Sequence, residues 1–150
     1  MKKVTLREAT PEDLPFLYDV AVRAMRPVLQ ASNKPDPTFE EYKERYKEKS
    51  ESETIQIIQY EGGDVGRLRV VRTKESIYIG GFQILPEFQS IGIGSEVMKN
   101  LMKESDETKI PILLEVSNSN PKAKAFYDRL GFKFVGSEKN ESVLEYKSVN

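Results

Sequence analysis

Between an apolar, strand-like run and an amphipathic, helix-like one stand six residues, Gln89-Ser90-Ile91-Gly92-Ile93-Gly94. Two glycines one residue apart at such a junction let the backbone turn tightly and aim several N–H groups into one concave patch. With a helix N-terminus behind it, the patch suits a phosphate, held by the amides of Ser90 to Ser95. Two nucleotide fingerprints are excluded. A Walker loop needs Lys-Ser/Thr after its last glycine, and here Ser95-Glu96 follows Gly94. A dinucleotide fold needs a third glycine three residues on, where this chain has Val97.

A second pair of glycines, Gly80-Gly81, lies inside the strand-like run that leads to this turn. Glycine in a strand marks a bulge or a close backbone approach. A bulge here leaves the backbone of Phe82, Gln83 and Ile84 available to an extended ligand, gripped as an added strand would be. A third stretch, Asn118-Ser119-Asn120-Pro121-Lys122-Ala123-Lys124-Ala125-Phe126-Tyr127, ends in Leu130-Gly131-Phe132. Asn120 and Pro121 read as helix cap and first turn, and Gly131 as the stop. Tyr127 falls on the apolar stripe of that helix with Ala123, Phe126 and Leu130.

The elements that must position these groups follow from periodicity. Val4 and Leu6 alternate as in a strand. Thr10-Pro11-Glu12-Asp13 reads as a helix start, and Leu14, Leu17, Tyr18, Ala21, Met25 and Val28 follow at helical spacing; Pro15 removes one bond of this helix. Pro27, Pro35 and Pro37 frame a loop. A second helix starts at Thr38, with Phe39, Tyr42 and Tyr46 as a narrow stripe and Glu41–Arg45 as an i,i+4 pair. The mixed charges from Glu40 to Glu53 are a solvated face. Thr54 to Tyr60, Val65 to Arg72 and Ile77 to Leu85 are three strands joined by short polar turns, hence an antiparallel meander. The helix behind the glycine turn spans Gly92 to Ser105 and buries Ile93, Val97 and Leu101, with Met98 and Met102 beside them. Ile112-Leu113-Leu114-Glu115-Val116 reads as a strand buried on both faces with one carboxylate in it. Phe132 to Val135 and Val143 to Tyr146 close the chain around a polar loop at Lys139-Asn140. The order β α α β β β α β α β β predicts an α/β (α+β) fold: a mixed, mostly antiparallel sheet of about seven strands with about four helices packed on it, residues 1–150 forming a single domain.

Gln-x-x-Gly-x-Gly after a strand, then another strand, then Asn-x-x-Ala-x-x-x-Tyr-x-x-x-Gly-Phe, resembles the GNAT superfamily of acetyl-CoA-dependent N-acetyltransferases. The two motifs span Ile77 to Phe132. The resemblance implies acetyl-CoA as cosubstrate and no metal. Its cofactor-binding residues would be Phe82, Gln83, Ile84, Gln89, Ser90, Ile91, Gly92, Ile93, Gly94, Ser95, Asn120 and Tyr127. The amides of Ser90 to Ser95 would hold the pyrophosphate. The backbone of Phe82 to Ile84 would hold the pantetheine arm and polarise the thioester carbonyl. Asn120 matches an asparagine that contacts the cofactor, and Tyr127 the tyrosine that protonates the departing thiolate. Plain packing for Tyr127 and plain capping for Asn120 are the alternatives. The attacking amine must be neutral, and an alkylamine at pH 7 is mostly protonated, so a base is needed. Glu115 is the first choice: an apolar strand would raise its pKa by desolvation, and a glutamate at the corresponding place looks like the base in some relatives that acetylate protein N-termini. Ordered water is the alternative. The chain departs from the family pattern at Ser90 and Ile91, where relatives are often basic, so backbone amides carry more of the phosphate binding.

Composition bounds the rest. The chain has 150 residues, 31% of them charged, with 23 Lys and Arg against 24 Asp and Glu and a net charge of -1. That balance argues against a nucleic-acid binder. No apolar run approaches a membrane span, and nothing apolar follows the basic residues of Met1-Lys2-Lys3 as in a signal peptide. Cysteine and histidine are both absent. Disulfides and thiolate metal sites are therefore excluded and acid–base work falls to carboxylates, tyrosines, lysines or water. A cytoplasmic enzyme is expected, acting on an amine-bearing acceptor, small molecule or protein, with no nucleic acid and no membrane partner. Homodimerisation, common in the resembling family, is a further option. Two alternatives stand beside acetyl transfer: a non-catalytic CoA-binding sensor or interaction module of the same fold, and transfer of a longer acyl group.

Overall fold

Thr10 turns the chain out of its first strand, β1 (Val4–Glu8), by a short 3-10 turn at Pro11–Asp13. The Asp13 carboxylate accepts from the Thr10 amide at 2.8 Å, so a donor that the turn would strand is satisfied. Helix α1 (Leu14–Ala31) follows, with Pro15 in its first turn, where the missing N–H removes no helical bond. The computed structural model describes residues 3–50 and 53–148. The charged face expected at Glu40–Glu53 lies partly outside this range, at Glu51 and Ser52, as do Met1 and Lys2 of the basic start.

Pro27 was expected in a loop and lies inside α1. A proline there removes one i→i−4 bond, and the turn beyond it closes by other bonds, Ser32 N–H to Val28 at 3.0 Å and Lys34 N–H to Leu29 at 2.8 Å. Helix α2 (Phe39–Ser50) starts at a reciprocal cap: Glu41 N–H donates to the Thr38 hydroxyl oxygen at 3.1 Å, and Thr38 N–H donates to the Glu41 carboxylate at 2.9 Å. Glu41 therefore turns back on the cap, and the expected ion pair with Arg45 does not form among the described residues. Tyr42 is buried, Tyr46 half-buried and Phe39 exposed.

The remaining elements are β2 (Thr54–Tyr60), β3 (Gly63–Arg72), β4 (Ile77–Ile84), α3 (Ile93–Thr108), β5 (Ile112–Ser117), α4 (Pro121–Arg129), β6 (Lys133–Glu138) and β7 (Glu141–Tyr146). Among the described residues they form a seven-stranded sheet ordered β1-β2-β3-β4-β5-β7-β6. The β4–β5 pair is parallel and the β1–β2, β2–β3, β5–β7 and β6–β7 pairs are antiparallel. Four helices and this mixed sheet match the expected class. Glu61 and Gly62, both at positive φ, make the two-residue turn between β2 and β3. The polar loop expected between the last two strands shrinks to Lys139-Asn140, because pairing runs out to Glu138–Glu141.

The chain divides into two compact units, one within Met1–Val70 and Gly81–Gly94, the other within Val71–Gly80 and Ser95–Asn150. In the first, Leu17, Tyr42, Ile55 and Ile57 form a buried cluster flanked by Leu14, Phe16, Tyr18, Ala21 and Tyr46. The Tyr18 hydroxyl donates to the Pro37 carbonyl at 2.8 Å and pins the α1–α2 loop. In the second, Ile112, Leu114 and Val116 are buried on one face of β5. Leu113, Glu115 and Ser117 on its other face are only half-buried, so the strand is not sealed on both sides as expected. Its parallel ladder with β4 holds only Ile77–Ile79, although β7 pairs with its full length.

Arg7 on β1 ties three segments of the first unit. Its two Nη atoms reach the Asp13 carboxylate at 2.9 and 2.8 Å, and Nη2 also reaches Asp64 at 2.9 Å. These bonds, chiefly the one from Arg7, hold the Asp13 carboxyl down at about 2. A carboxyl depressed on folding contributes stability that is complete above its unfolded pKa, about 3.9. The contribution fades as pH falls toward 2. Asp13→Asn is expected to lose about 1–2 kcal/mol at pH 7, and urea titrations of both proteins should converge between pH 4 and pH 2. An unchanged gap across that interval would refute the assignment.

Candidate functional site

Several bonds fix the approach to the glycine turn within the first unit. Leu85 N–H donates to Val65 at 2.8 Å, and a 3-10 turn, Pro86–Phe88, follows. Glu87 meets Arg23 of α1 at 2.6 Å, and the Phe88 ring lies edge-on to Tyr60 at 6.4 Å. The Gln89 side-chain amide donates to the Ile84 carbonyl at 2.8 Å, pinning the first residue of the turn to the end of β4. Ser90 and Gly92 then adopt φ of +63° and +95° with Ile91 between them. Left-handed residues alternating with ordinary ones turn successive N–H groups to one side, the geometry of an anion nest. A left-handed Ser90 costs about 1–2 kcal/mol, which Gly92 largely avoids. Helix α3 begins at Ile93, so the amides of Ile93, Gly94 and Ser95 have no helical carbonyl behind them to bond. Ser90, Ile91 and Gly92 are exposed. Nest and helix start together offer partial positive charge without a basic side chain.

Strand β4 carries Phe82 and Gln83 half-buried and Ile84 buried. With its carbonyl taken by Gln89, Ile84 has chiefly its amide to offer. Tight packing along β4 involves Gly66 of β3, which the sequence reading did not single out, and Gly81 of the expected pair. A Cβ on Gly66 of β3 would stand 2.5 Å from the Gln83 carbonyl oxygen, so only glycine lets that backbone lie against Gln83 and Ile84. A Cβ on Gly81 would stand 3.0 Å from the Arg67 guanidinium, which occupies the space instead.

The second unit holds the other candidates. Asn120 caps α4, its Oδ1 accepting from Ala123 N–H at 3.2 Å, which leaves its Nδ2 donor without a partner among the described residues. Asn118 anchors the same loop, accepting from the Ser142 hydroxyl at 2.8 Å and donating its N–H to Asn140 at 2.9 Å. The Tyr127 ring is buried edge-on between Phe126 at 5.1 Å and Phe132 at 5.2 Å. Burial pushes its phenol pKa well above the usual value. The hydroxyl makes no hydrogen bond among the described residues, yet no polar side-chain atom there is both sealed from solvent and unpartnered. Packing and an accessible hydroxyl therefore coexist.

Glu115 on the half-open face of β5 accepts a 2.6 Å hydrogen bond from the hydroxyl of Tyr78 on β4. Register explains the meeting: Tyr78 pairs with Leu113, so Glu115 stands two residues further along the same face. Tyr78 was not read as a functional residue from the sequence. Its signal was there in the alternation of Ile77, Tyr78 and Ile79, which sets a polar-tipped side chain opposite two buried isoleucines. No group of three or more His, Cys, Asp or Glu side chains among the described residues is placed to hold a metal ion.

If capping is what Asn120 does for stability, Asn120→Ala is expected to lose about 1 kcal/mol and Asn120→Asp to lose almost none, read by thermal or denaturant unfolding. Equal losses in both variants would show that the cap is not what matters.

The profile described as acetyltransferase (GNAT) domain matches residues 23–146. No curated protein sequence matches the chain. Solved structures do. An acetyltransferase from Thermus thermophilus superposes with a TM-score of 0.79 over 97% of both chains at 20% identity. The PaiA N-acetyltransferase of Thermoplasma acidophilum, solved with coenzyme A, gives 0.77 over 97% of this chain and 99% of its own at 17% identity. Spermidine N-acetyltransferase from Vibrio cholerae, solved with CoA and spermine, gives 0.68 over 95% and 92% at 20% identity. The seven-stranded sheet, the four helices and a profile match across most of the chain place this protein in the GNAT acetyltransferase family.

Proposed function

We propose that the protein moves the acetyl group of acetyl-CoA to the primary amine of a small molecule or protein, and that residues 1–150 act as one acetyltransferase domain. The observation that carries this reading is the nest at Ser90–Gly92 running into the free first turn of α3. The coenzyme A bound by the Thermoplasma relative carries a pyrophosphate, the kind of group such amides hold.

Acetyl-CoA supplies an acetyl thioester, whose carbonyl a neutral amine attacks with loss of the thiolate. The amides of Ser90, Ile91, Gly92, Ile93, Gly94 and Ser95 hold the pyrophosphate, with Gln89 fixing the turn. The backbone of Phe82, Gln83 and Ile84 aligns the pantetheine and polarises the carbonyl. Asn120 offers its Nδ2 to the cofactor while its Oδ1 caps the helix. Glu115, through Tyr78 or a bound water, takes the proton that an ammonium acceptor must shed. The nitrogen gives up one further proton on becoming an amide, and the sulfur gains one. Tyr127, its phenol pKa raised by burial, keeps its own proton across physiological pH. Its role is hydrogen-bond donation to the sulfur as negative charge develops. A cytoplasmic setting is part of this proposal; no described helix is long and apolar enough to cross a membrane. So does a homodimer, for which Phe134 and Val135, 62% and 51% exposed on β6, are surface to bury.

Calorimetry should give saturable binding of CoA to the wild type and about a tenfold loss in Gly92→Ala, where φ of +95° strains any side chain although nothing lies within 4 Å to clash. No heat with any CoA species would end the reading. Tyr127→Phe is expected to lower kcat about 10²-fold, followed by thiol release, with CoA affinity nearly kept. Full turnover in that variant would remove Tyr127 from the mechanism. CoA binding with no transfer to any amine would instead favour a sensor module.

A further inference from the structure

Two arginines stand two residues apart on β3 and are treated differently by the fold. Arg69 meets Glu53 at 2.7 Å, and both side chains are well covered. Arg67 meets no carboxylate among the described residues. Its Nε donates to the Gln83 side-chain oxygen at 2.5 Å and its Nη1 to the Tyr42 hydroxyl at a long 3.4 Å. Its guanidinium also lies near the Tyr42 ring, 5.9 Å from the centroid, and fills the space that a side chain at Gly81 would take. The residue keeps some surface, but its charged end is closely surrounded, and desolvation lowers its pKa. Both bonds go to neutral groups, and the other Nη donors make no hydrogen bond among the described residues. A half-buried cation with no carboxylate beside it among the described residues gains little from folding, and its unbonded Nη2 still touches solvent, where a ligand can reach it. A planar oxyanion would complete it, because the fork of a guanidinium matches a carboxylate.

On the acetyl-transfer reading, the arginine also lies beside the proposed cofactor strand. Gln83, which holds its Nε, belongs to the Phe82–Ile84 run assigned above to the pantetheine. Tyr42 packs edge-on with Tyr18, whose hydroxyl fixes the α1–α2 loop at Pro37. From this constellation we infer that Arg67, with Tyr42 and Gln83 orienting it, binds a carboxylate carried by the amine acceptor. The substrate class is therefore amino-acid-like amines rather than polycations, a specificity that rests on the acetyl-transfer reading. A polyamine such as the spermine bound by the Vibrio relative would bring positive charge to an unneutralised guanidinium.

The test compares acceptors matched except for the carboxylate, such as β-alanine against propylamine, by thiol release. The wild type should favour the carboxylated amine at least about tenfold in kcat/KM. In Arg67→Gln that ratio should fall toward one, and in Arg67→Lys it should recover only in part. A wild-type ratio near one, or a preference for polyamines, overturns the inference while leaving acetyl transfer standing. If no amine is acetylated, transfer fails and the site is still decided by acetate titration followed on the Arg67 Nε–H signal by NMR. A saturable shift, absent for chloride at equal ionic strength, supports carboxylate binding, and no shift refutes it. Folding is checked with Arg67→Met, expected to melt no lower than the wild type because no ion pair is lost. A marked fall would assign Arg67 to structure instead.

Discussion

The amides of Ile93, Gly94 and Ser95 at the head of α3 have no helical carbonyl behind them and make no other hydrogen bond among the described residues, and the rest of the proposed site depends on that. Gln89 could have folded over the turn; it is tied back to the Ile84 carbonyl instead. Ser90 accepts a left-handed conformation that serine disfavours, and Gly92 takes a second one, the backbone alternation from which anion nests are built. Arg23 holds Glu87 away to α1, which keeps that acidic side chain engaged just before the turn. With serine and isoleucine at positions 90 and 91, no flexible cation supplements the amides there. Anion binding there, as proposed, would depend on fixed dipoles, whose position the backbone sets, more than on mobile charge.

The two candidate proton-handling groups of the second unit sit in contrasting surroundings. Tyr127 is walled by aromatic rings, and its pKa rises because a phenolate there would lose its hydration. That makes it a poor source of a fully transferred proton and a durable donor of a hydrogen bond. Glu115 lies on the open face of its strand under a short bond from Tyr78. A carboxylate reachable through a hydroxyl can pass a proton onward to water, which a sealed one cannot. In the reaction proposed above, a tyrosine in these surroundings would serve the sulfur as a hydrogen-bond donor, the proton coming from the reacting nitrogen.

Long periodic segments and the residues that punctuate them were legible in the sequence. Thr38, Asn120 and Gly131 end or begin helices where their chemistry says they should, and the order of eleven strands and helices follows. Misreadings came where tertiary packing outweighed a local signal. Pro27 reads as a breaker, yet one lost bond does not stop a helix whose other turns are closed. Ile112–Val116 reads as doubly buried because five residues cannot reveal that one face is left half-open. Glu41 had two possible partners, and the cap at Thr38 was nearer than Arg45. Tyr78 and Arg67 needed strand register to be seen at all, since their partners Glu115 and Gln83 lie 37 and 16 residues away.

Arg67 and Arg69 show why register carries functional information that composition hides. The strand presents both on one face, opposite Ile57 and Ile55 of β2. At Arg69 the charge is cancelled by Glu53, so removing either partner would strand the other. At Arg67 there is no such debt: neutral groups fix the direction of the guanidinium without neutralising it, and Gly81 gives up its side chain to make room. A fold selected for stability alone would gain by an apolar residue at that position. Keeping an oriented cation with no carboxylate partner beside the strand proposed to hold the pantetheine makes physical sense if the missing charge arrives with the substrate, so that binding completes what folding leaves open.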